Sequence, residues 1–419
     1  MSRSDPGEPA SESRLERWLQ RLRRAIPDLP NAPFFLGLIL GFGGCAFAGR
    51  LASEHFRFEP FVRFHGAIQP QQFFYPSASQ LVAHVRHRVP RGKIPVIVGG
   101  ASYFRGTGQN PNELWTLELQ RLLGERYVVV NFAIDAAPIT AYAATVFEIL
   151  VREYPDILYV ADGSPLSGAP WDGGETYQYL FWDAYYKGLL PASLADSKNI
   201  RELGRIQRRE RAGQELHLGK WLDRFAYACD LWTYIGYNYF FTVWSDAHAR
   251  QPLRARRFDR EGNDPNIHQS QLNVRNDRDY GRSSEETGRN NSRYRFRQGA
   301  DGQWRPDTKA WDHLAQEWRD MFPAEFRARC FVVFLRGHPY FLQTLTADER
   351  SRTELQYRLG QQNLEREGYR VVQLRAEDFT ADDFLDGGHY VASGGAKIAH
   401  AVAAKIKEAT HPDGGGAGK

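Results

Sequence analysis

The stretch IPVIVGGAS, residues 94–102, indicates the fold class of this chain. Its first five residues are a short, continuous apolar run, as expected of a parallel strand that is buried on both faces of a sheet. Two glycines follow and mark the end of the strand. Ser102 therefore lies at the carboxyl end of the first predicted strand, which is the edge at which open α/β sheets place their sites.

Apolar runs alternate with helical patterns after this stretch. Four more strands are predicted, at residues 127–132, 157–160, 331–335 and 369–374. Helices are predicted through residues 142–152 and 351–367, and the last helix is expected to begin near Ser393. Strands that alternate with helices favour a doubly wound parallel sheet. The sequence thus predicts a three-layer α/β domain with a flavodoxin-like strand order over residues 94–410.

The helix after the first strand has a start signal of its own. Asn110 is a capping residue, and Pro111 suits the first position of a helix. Leu114, Leu117 and Leu122 follow at spacings that fit one helical face. The sequence therefore predicts a helix that begins at Asn110 and buries these three leucines.

A long insertion, residues 164–326, separates the third strand from the fourth. Two groups of aromatic residues lie in it at helical spacing, at residues 177–186 and 232–244. They fit either a helical subdomain that packs on the sheet or a surface on which sugars stack. The stretch 254–302 is polar and rich in Asn, Arg, Gly and Ser, so it is predicted to be a long loop.

Composition excludes several classes of protein. The 419 residues include 54 Lys and Arg and 50 Asp and Glu, a formal net charge of +4. A nucleic-acid-binding protein would concentrate basic residues on one face, so none is predicted as a partner. None of the three cysteines belongs to a CxxC pair, and the sequence predicts neither a metal nor a cofactor. Cys229 and Cys330 are either joined in a disulfide or buried as free thiols.

An apolar segment near the N-terminus, residues 32–48, contains no charged residue. Its length is the lower limit for a helix that spans a bilayer. Five arginines lie between residues 14 and 24, whereas Arg50 alone follows closely, so the N-terminal side is expected to stay in the cytoplasm. The sequence predicts a single-pass protein of the inner membrane whose large domain is extracytoplasmic. The predicted parts around that domain are a basic leader (1–31), an anchor (32–49), a linker or N-terminal extension (50–93) and a disordered tail (411–419).

Two other export signals fit the same apolar segment. One is a cleaved signal peptide, and the other is a lipoprotein signal that ends at Gly43-Gly44-Cys45. The uncleaved anchor is favoured because the charged leader is long and no small-x-small site follows the apolar core. All three alternatives place the large domain on the same side of the membrane.

Two short motifs fall at one edge of the predicted sheet. Ser102 follows the first strand, and Asp386-Gly387-Gly388-His389 lies between the fifth strand and the last helix. A carboxylate at this spacing can hold an imidazole in one tautomer while the second ring nitrogen takes a proton from a serine hydroxyl. Each motif alone is a weak signal, but together they predict a catalytic triad of Ser102, His389 and Asp386.

Two further residues are candidates for contact with a substrate. His338 follows the fourth strand and so lies at the same predicted edge, where it either binds substrate or serves the structure. Arg105 comes three residues after Ser102, where it either meets an anionic or sugar substrate or is solvated.

The two motifs resemble those of the SGNH (GDSL-like) hydrolase superfamily. In that family the nucleophilic serine follows the first strand, and Asp-x-x-His precedes the last helix. Residues 131–136 resemble a further block of the family, which implies an oxyanion-hole N–H from Ala136. The family's Gly-x-Asn-Asp is replaced here by Asp162-Gly163-Ser164-Pro165, so the Ser164 hydroxyl is left as the substitute donor.

The single anchor, the altered serine block and Ser164-Pro165 look like the membrane-anchored D-alanine transfer proteins and the alginate O-acetylation proteins. This resemblance implies an extracytoplasmic serine esterase or O-acyltransferase that acts on acyl groups, principally acetyl, of an envelope or secreted polysaccharide. It also implies a membrane-bound O-acyltransferase as a partner. The alternative is a non-catalytic, membrane-tethered binding or assembly protein of such an acylation system.

Overall fold

The computed structural model describes residues 32–55, 78–109, 111–134, 143–163, 189, 295–339, 343, 345–385 and 387–410. Within the first helix, side-chain burial is described at residues 33–48 and 51. The predictions for the leader, for the two aromatic groups of the insertion and for the C-terminal tail lie outside the described residues.

A parallel sheet of five strands forms the centre of the fold. The described strands, in chain order, are β1 (Ile94–Val98), β2 (Tyr127–Asn131), β3 (Leu158–Gly163), β4 (Phe296–Gln298), β5 (Trp304–Pro306), β6 (Cys330–Phe334) and β7 (Arg370–Gln373). The order in the main sheet is β2-β1-β3-β6-β7, and all four pairings are parallel. This is the doubly wound order of flavodoxin-like sheets, so the predicted strand order is confirmed.

Helices lie before and between these strands. In chain order they are α1 (Ala32–His55), α2 (Ala78–Arg88), α3 (Ser102–Arg105), α4 (Trp115–Leu123), α5 (Ala143–Leu150), α6 (Thr308–Met321), α7 (Ala324–Arg327), α8 (Ala347–Arg366) and α9 (Ala392–Thr410). Short 3-10 turns lie at Pro111–Glu113, Ala376–Asp378 and Ala381–Asp383. The long α8 begins with a capping box, in which the Thr346 hydroxyl accepts from the Glu349 N–H and the Glu349 carboxylate accepts from the Thr346 N–H.

One apolar core lies on each face of the sheet. Successive side chains of a strand point to opposite faces, so Ile97 of β1 enters the core that α2, α5 and α6 cover. Val96 and Val98 enter the core that α4 and α9 cover. Helices thus cover both faces, which is the α/β architecture that the alternation of strands and helices predicts.

The folded unit begins before residue 94. Residues 50–93 were expected to be a linker or an extension, but α2 buries Leu81, Val82 and Val85 in the same core as Phe147 of α5. The helix is short, and His, Arg and Gln separate its few apolar residues, so its periodicity is weak in sequence.

The helix that the sequence predicts from Asn110 begins later in the structure, as α4. Pro111 opens a single 3-10 turn, and α4 starts at Trp115, after Leu114 in an extended conformation. Gln109 Oε1 accepts a hydrogen bond of 2.8 Å from the Trp115 N–H. A side chain outside the helix therefore satisfies one of its first amides, and no capping pattern in the sequence marks this start.

The buried face of α4 also differs from the predicted one. Leu117 is 38% exposed, and Leu114, although buried, precedes the helix. Positions four residues apart share a face of a helix. The residues that enter the core are Trp115, Leu119 and Leu123.

A small antiparallel hairpin occupies the end of the predicted loop 254–302. Its strands β4 and β5 pair Phe296 with Pro306 and Gln298 with Trp304. The turn between them places Gly302 at a φ of 75°, where its N–H donates to Gly299 O at 2.9 Å. The loop prediction was wrong at residues 296–298, which form β4, because three-residue strands carry too little alternation to be recognised in sequence.

The apolar segment near the N-terminus lies in α1. Eight side chains of this helix are large, apolar and exposed: Phe34, Phe35, Leu36, Leu38, Ile39, Leu40, Phe47 and Leu51. Within the described part of the chain, no helix is long and apolar enough to cross a membrane.

Cys330 is a free and buried thiol at the start of β6. Its Sγ donates to Phe326 O at 3.4 Å, and burial raises the pKa of this thiol. The free-thiol alternative therefore holds for Cys330, and Cys229 lies outside the described residues. Cys45 on α1 is free and exposed.

The core contains a buried carboxyl group, that of Glu148 on α5. The residue is 2% exposed, and burial raises its pKa well above the ordinary value. Among the described residues, Glu148 Oε1 has no hydrogen-bond partner. Burial of a carboxyl oxygen without a hydrogen bond favours the neutral form of the group.

Glu148→Gln should change how stability depends on pH. The pKa of Glu148 is raised on folding, so its contribution to stability is complete below the ordinary pKa and is lost as the pH rises toward the folded value. That loss is about 1.4 kcal/mol for each pH unit between the two values. Melting temperatures between pH 5 and pH 8 should therefore fall less steeply for Glu148→Gln than for the wild type. Glu125→Gln, at an exposed position, is the matched control. Parallel curves for wild type and Glu148→Gln would contradict this account.

Candidate active site

Ser102 is the first residue of α3, the short helix that directly follows β1. Ala101 before it is extended, and Gly106 after the helix adopts a φ of 85°, with its N–H directed to Ser102 O and Tyr103 O. The left-handed conformation of Gly106 ends the helix after one turn. Ser102 therefore lies on a tight turn at the carboxyl edge of the sheet, as its sequence position predicts.

His389 meets Ser102 at this edge. The distance between Ser102 Oγ and His389 Nε2 is 2.8 Å. His389 lies in the loop that joins β7 to α9, so 287 positions separate the two residues in the sequence. At this distance a neutral imidazole can accept the proton of the serine hydroxyl.

Backbone hydrogen bonds hold the loop that carries His389. The Leu385 N–H donates to His389 O at 2.8 Å and closes the base of the loop. The His338 N–H donates to Gly387 O at 3.1 Å, which ties the loop to the segment after β6. The backbone of His338 thus has a structural role, and its partly buried ring lies 5.3 Å from the ring of Phe384. Substrate contact by His338 stays a prediction.

The ring of Tyr103 stacks on the imidazole of His389. The two ring centroids are 4.8 Å apart, and the planes differ by 29°. Gly388 makes room for this contact, because a Cβ there would lie 2.7 Å from Tyr103 Cε1. Tyr103 therefore helps to fix the orientation of the ring that faces Ser102. No feature of the sequence indicates this role beyond the place of Tyr103 next to Ser102.

Asn131 connects α3 to the segment after β2. Its Nδ2 donates to Phe104 O at 3.1 Å, and its Oδ1 accepts from the Ala133 N–H at 3.0 Å. Trp115 Nε1 donates to the same Phe104 O at 2.8 Å. These side chains hold the short helix that begins with Ser102, a role that no sequence motif predicts.

Asp162, the fifth residue of β3, also reaches the turn before Ser102. Its Oδ1 accepts a hydrogen bond of 2.8 Å from the Ala101 N–H. Burial raises the pKa of the Asp162 carboxyl to about 6, and hydrogen bonds from the N–H groups of Ala101 and of Asp162 itself oppose the rise. In the sequence, Asp162 is recognisable only as part of a departure from the pattern of the resembling family.

Arg105 is buried beneath the site. It is 2% exposed, and its guanidinium donates to Thr107 Oγ1 at 3.1 Å. The prediction of a solvated arginine is therefore wrong, and this burial disfavours the alternative of contact with a substrate.

Three predicted site residues lie outside the described part of the chain, namely Asp386, Ala136 and Ser164. The carboxylate partner of His389 and all the oxyanion donors therefore stay predictions. The described neighbours on either side of Asp386 are Leu385 and Gly387, which take part in the hydrogen bonds that hold the loop.

A serine hydroxyl in contact with an imidazole is an arrangement for nucleophilic catalysis. The imidazole removes the proton as the hydroxyl oxygen attacks, so an acyl group can be transferred to the serine at neutral pH. No protein-family model matches this chain, and no curated protein matches it either.

Tyr103→Ala should lower the reactivity of Ser102, whereas Tyr103→Phe should preserve it. A stacked ring pair is worth about 0.5–1.5 kcal/mol, so loss of the ring should slow the reaction of Ser102 with a fluorophosphonate by about 2- to 10-fold. The phenylalanine variant keeps the stack. Labelling rates, followed by intact-mass spectrometry, measure the effect. Equal rates for Tyr103→Ala and the wild type would show that the stack does not orient His389.

Proposed function

We propose that this chain is an SGNH-type serine esterase or O-acyltransferase. Its substrates are acyl groups, principally acetyl, on an envelope or secreted polysaccharide. The observation that carries the proposal is the 2.8 Å contact between Ser102 Oγ and His389 Nε2. It lies at the carboxyl edge of a doubly wound sheet, where open α/β folds place their sites. The positions of both residues, after the first strand of the sheet and before the last helix, support the SGNH resemblance.

The reaction has two half-reactions. In the first, His389 Nε2 takes the proton of Ser102 as Oγ attacks the acyl carbonyl carbon, and the collapse of the tetrahedral adduct expels the alcohol, which receives that proton. In the second, water or a sugar hydroxyl gives a proton to His389 as its oxygen attacks the acyl carbon of the acyl-serine. The bond between that carbon and Ser102 Oγ then breaks, and Oγ takes the proton back from His389. An esterase and a transferase differ only in which of these two acceptors, water or a sugar hydroxyl, receives the acyl group.

Three residues outside the described part of the chain complete the proposed machinery. Asp386 orients His389 and stabilises its protonated form during each half-reaction. The backbone N–H of Ala136 joins that of Ser102 in stabilising the oxyanion, and the Ser164 hydroxyl is a further donor. These roles rest on the resemblance of their motifs to the SGNH family.

Attachment to the membrane is part of the proposal. The arginine-rich leader and the uncharged segment 32–48 support an N-terminal anchor and an extracytoplasmic domain. The exposed apolar side chains of α1, including Phe34 and Ile39, support the association of this helix with the membrane or with an apolar protein surface. A membrane-bound O-acyltransferase is the proposed source of acyl groups.

A non-catalytic binding or assembly protein of the same acylation system is the second candidate. The observation that favours it is the sequence at the end of β3, where Asp162-Gly163-Ser164-Pro165 replaces the family's Gly-x-Asn-Asp and leaves no oxyanion asparagine. Loss of one oxyanion donor costs about 10²–10³ in rate. The contact between Ser102 and His389 favours the enzyme.

Ser102→Ala should abolish the acylation of the full-length protein by p-nitrophenyl acetate. His389→Ala should slow it by about 10²–10⁴, because the hydroxyl loses its general base. Release of p-nitrophenolate in stopped flow measures acylation, and Ser79→Ala on α2 is the matched control. The enzyme proposal would be wrong if wild type and Ser102→Ala behaved alike both on this ester and in acylation of the host polysaccharide.

A further inference from the structure

We propose that Asp162 is a positioning residue for Ser102, and that it acts by holding the backbone of the turn before the nucleophile. This inference rests on the proposed function and adds to it a residue with no part in the predicted triad or oxyanion hole.

Strand pairing brings Asp162 to the nucleophile turn. Val98 of β1 pairs with Val160 of β3, and the Gly99 N–H donates to Val160 O at 2.9 Å. Asp162 lies two residues beyond Val160. Its side chain is therefore next to the place where the chain leaves β1 and turns toward Ser102. There the Asp162 carboxylate accepts a hydrogen bond of 2.8 Å from the Ala101 N–H.

Gly100 shows how closely the turn approaches this carboxylate. The residue has a φ of 96°, and a Cβ at this position would overlap Asp162 Oδ1. Only glycine combines that conformation with such an approach. On its other side the Gly100 carbonyl accepts from the Ile134 N–H at 3.1 Å. The turn is thus fixed between the end of β3 and the segment after β2.

A carboxyl group at this position has an energetic cost. Burial raises its pKa to about 6, and an apolar residue at the end of a central strand would avoid the cost of burying a charge. The hydrogen bond from the Ala101 N–H offsets part of that cost, since bonds to an ionised acceptor are stronger than neutral ones. The carboxyl is therefore coupled to the backbone of the residue that precedes Ser102.

The position of Ala101 determines that of the reacting groups. The Ser102 N–H and Oγ follow directly, and Oγ has to stay within hydrogen-bond distance of His389 Nε2. A displacement of about 1 Å in a reacting group can cost about 10²-fold in rate. Asp162 therefore affects the reaction without touching the reacting atoms.

The test is the reaction of Ser102 with a fluorophosphonate, resolved into the maximal labelling rate and the half-saturating concentration. In Asp162→Ala of the full-length protein the maximal rate should fall about 10²-fold, with little change in the half-saturating concentration. Asp162→Asn should restore most of the rate, because the amide Oδ1 accepts the same hydrogen bond. Gly100→Ala should resemble Asp162→Ala, since both displace the same turn. Asp156→Ala, at the exposed start of the segment that leads into β3, is the matched control.

Two results would overturn this inference alone: a wild-type labelling rate in folded Asp162→Ala, or a rate in Asp162→Asn as low as in Asp162→Ala. If Asp162→Ala does not fold, Asp162→Leu, which fills a similar volume without an acceptor, takes its place with the same expectations. With either of those two results, the proposed function still stands if the wild type is labelled and Ser102→Ala is not. Absence of labelling in the wild type would overturn the proposed function and this inference with it.

Discussion

The parallel pairing of β1 with β3 is the constraint on which the candidate site depends. It places the turn after β1 against the end of β3, at the edge where the loop after β7 also emerges. All five strands of the main sheet are parallel, so their carboxyl ends share this edge. Ser102 and His389 come together for that reason, although most of the chain lies between them.

Two glycines carry the close contacts around the reacting groups. Gly100 lets the nucleophile turn approach the Asp162 carboxylate, and Gly388 lets the His389 loop approach the ring of Tyr103. In each case a side chain fixes the backbone or the ring that has to be held in place. Both contacts depend on the absence of a Cβ. The geometry of the Ser102–His389 pair therefore depends on two residues that have no reactive group of their own.

The sequence predicted those features that depend on long or repeated patterns. The five apolar runs predicted the parallel strands and their order, and the positions of Ser102 and His389 after strand ends predicted that they meet. Features that depend on tertiary contacts were missed. No local pattern reveals that Asp162 reaches Ala101, that Tyr103 stacks on His389 or that Arg105 turns inward. Short elements were missed too, among them α2 and the β4–β5 hairpin, because a few residues carry little periodicity.

The central claim is that Ser102 carries an acyl group during the reaction. Peptide mass spectrometry after an acid quench tests it most directly, with the full-length protein caught during its reaction with an acetylated donor. The account predicts acetyl on the peptide that contains Ser102, and loss of that acetyl when a sugar acceptor or longer exposure to water precedes the quench. Turnover of the donor without acetyl on Ser102 at any time of quench, or with acetyl on a different residue, would contradict it.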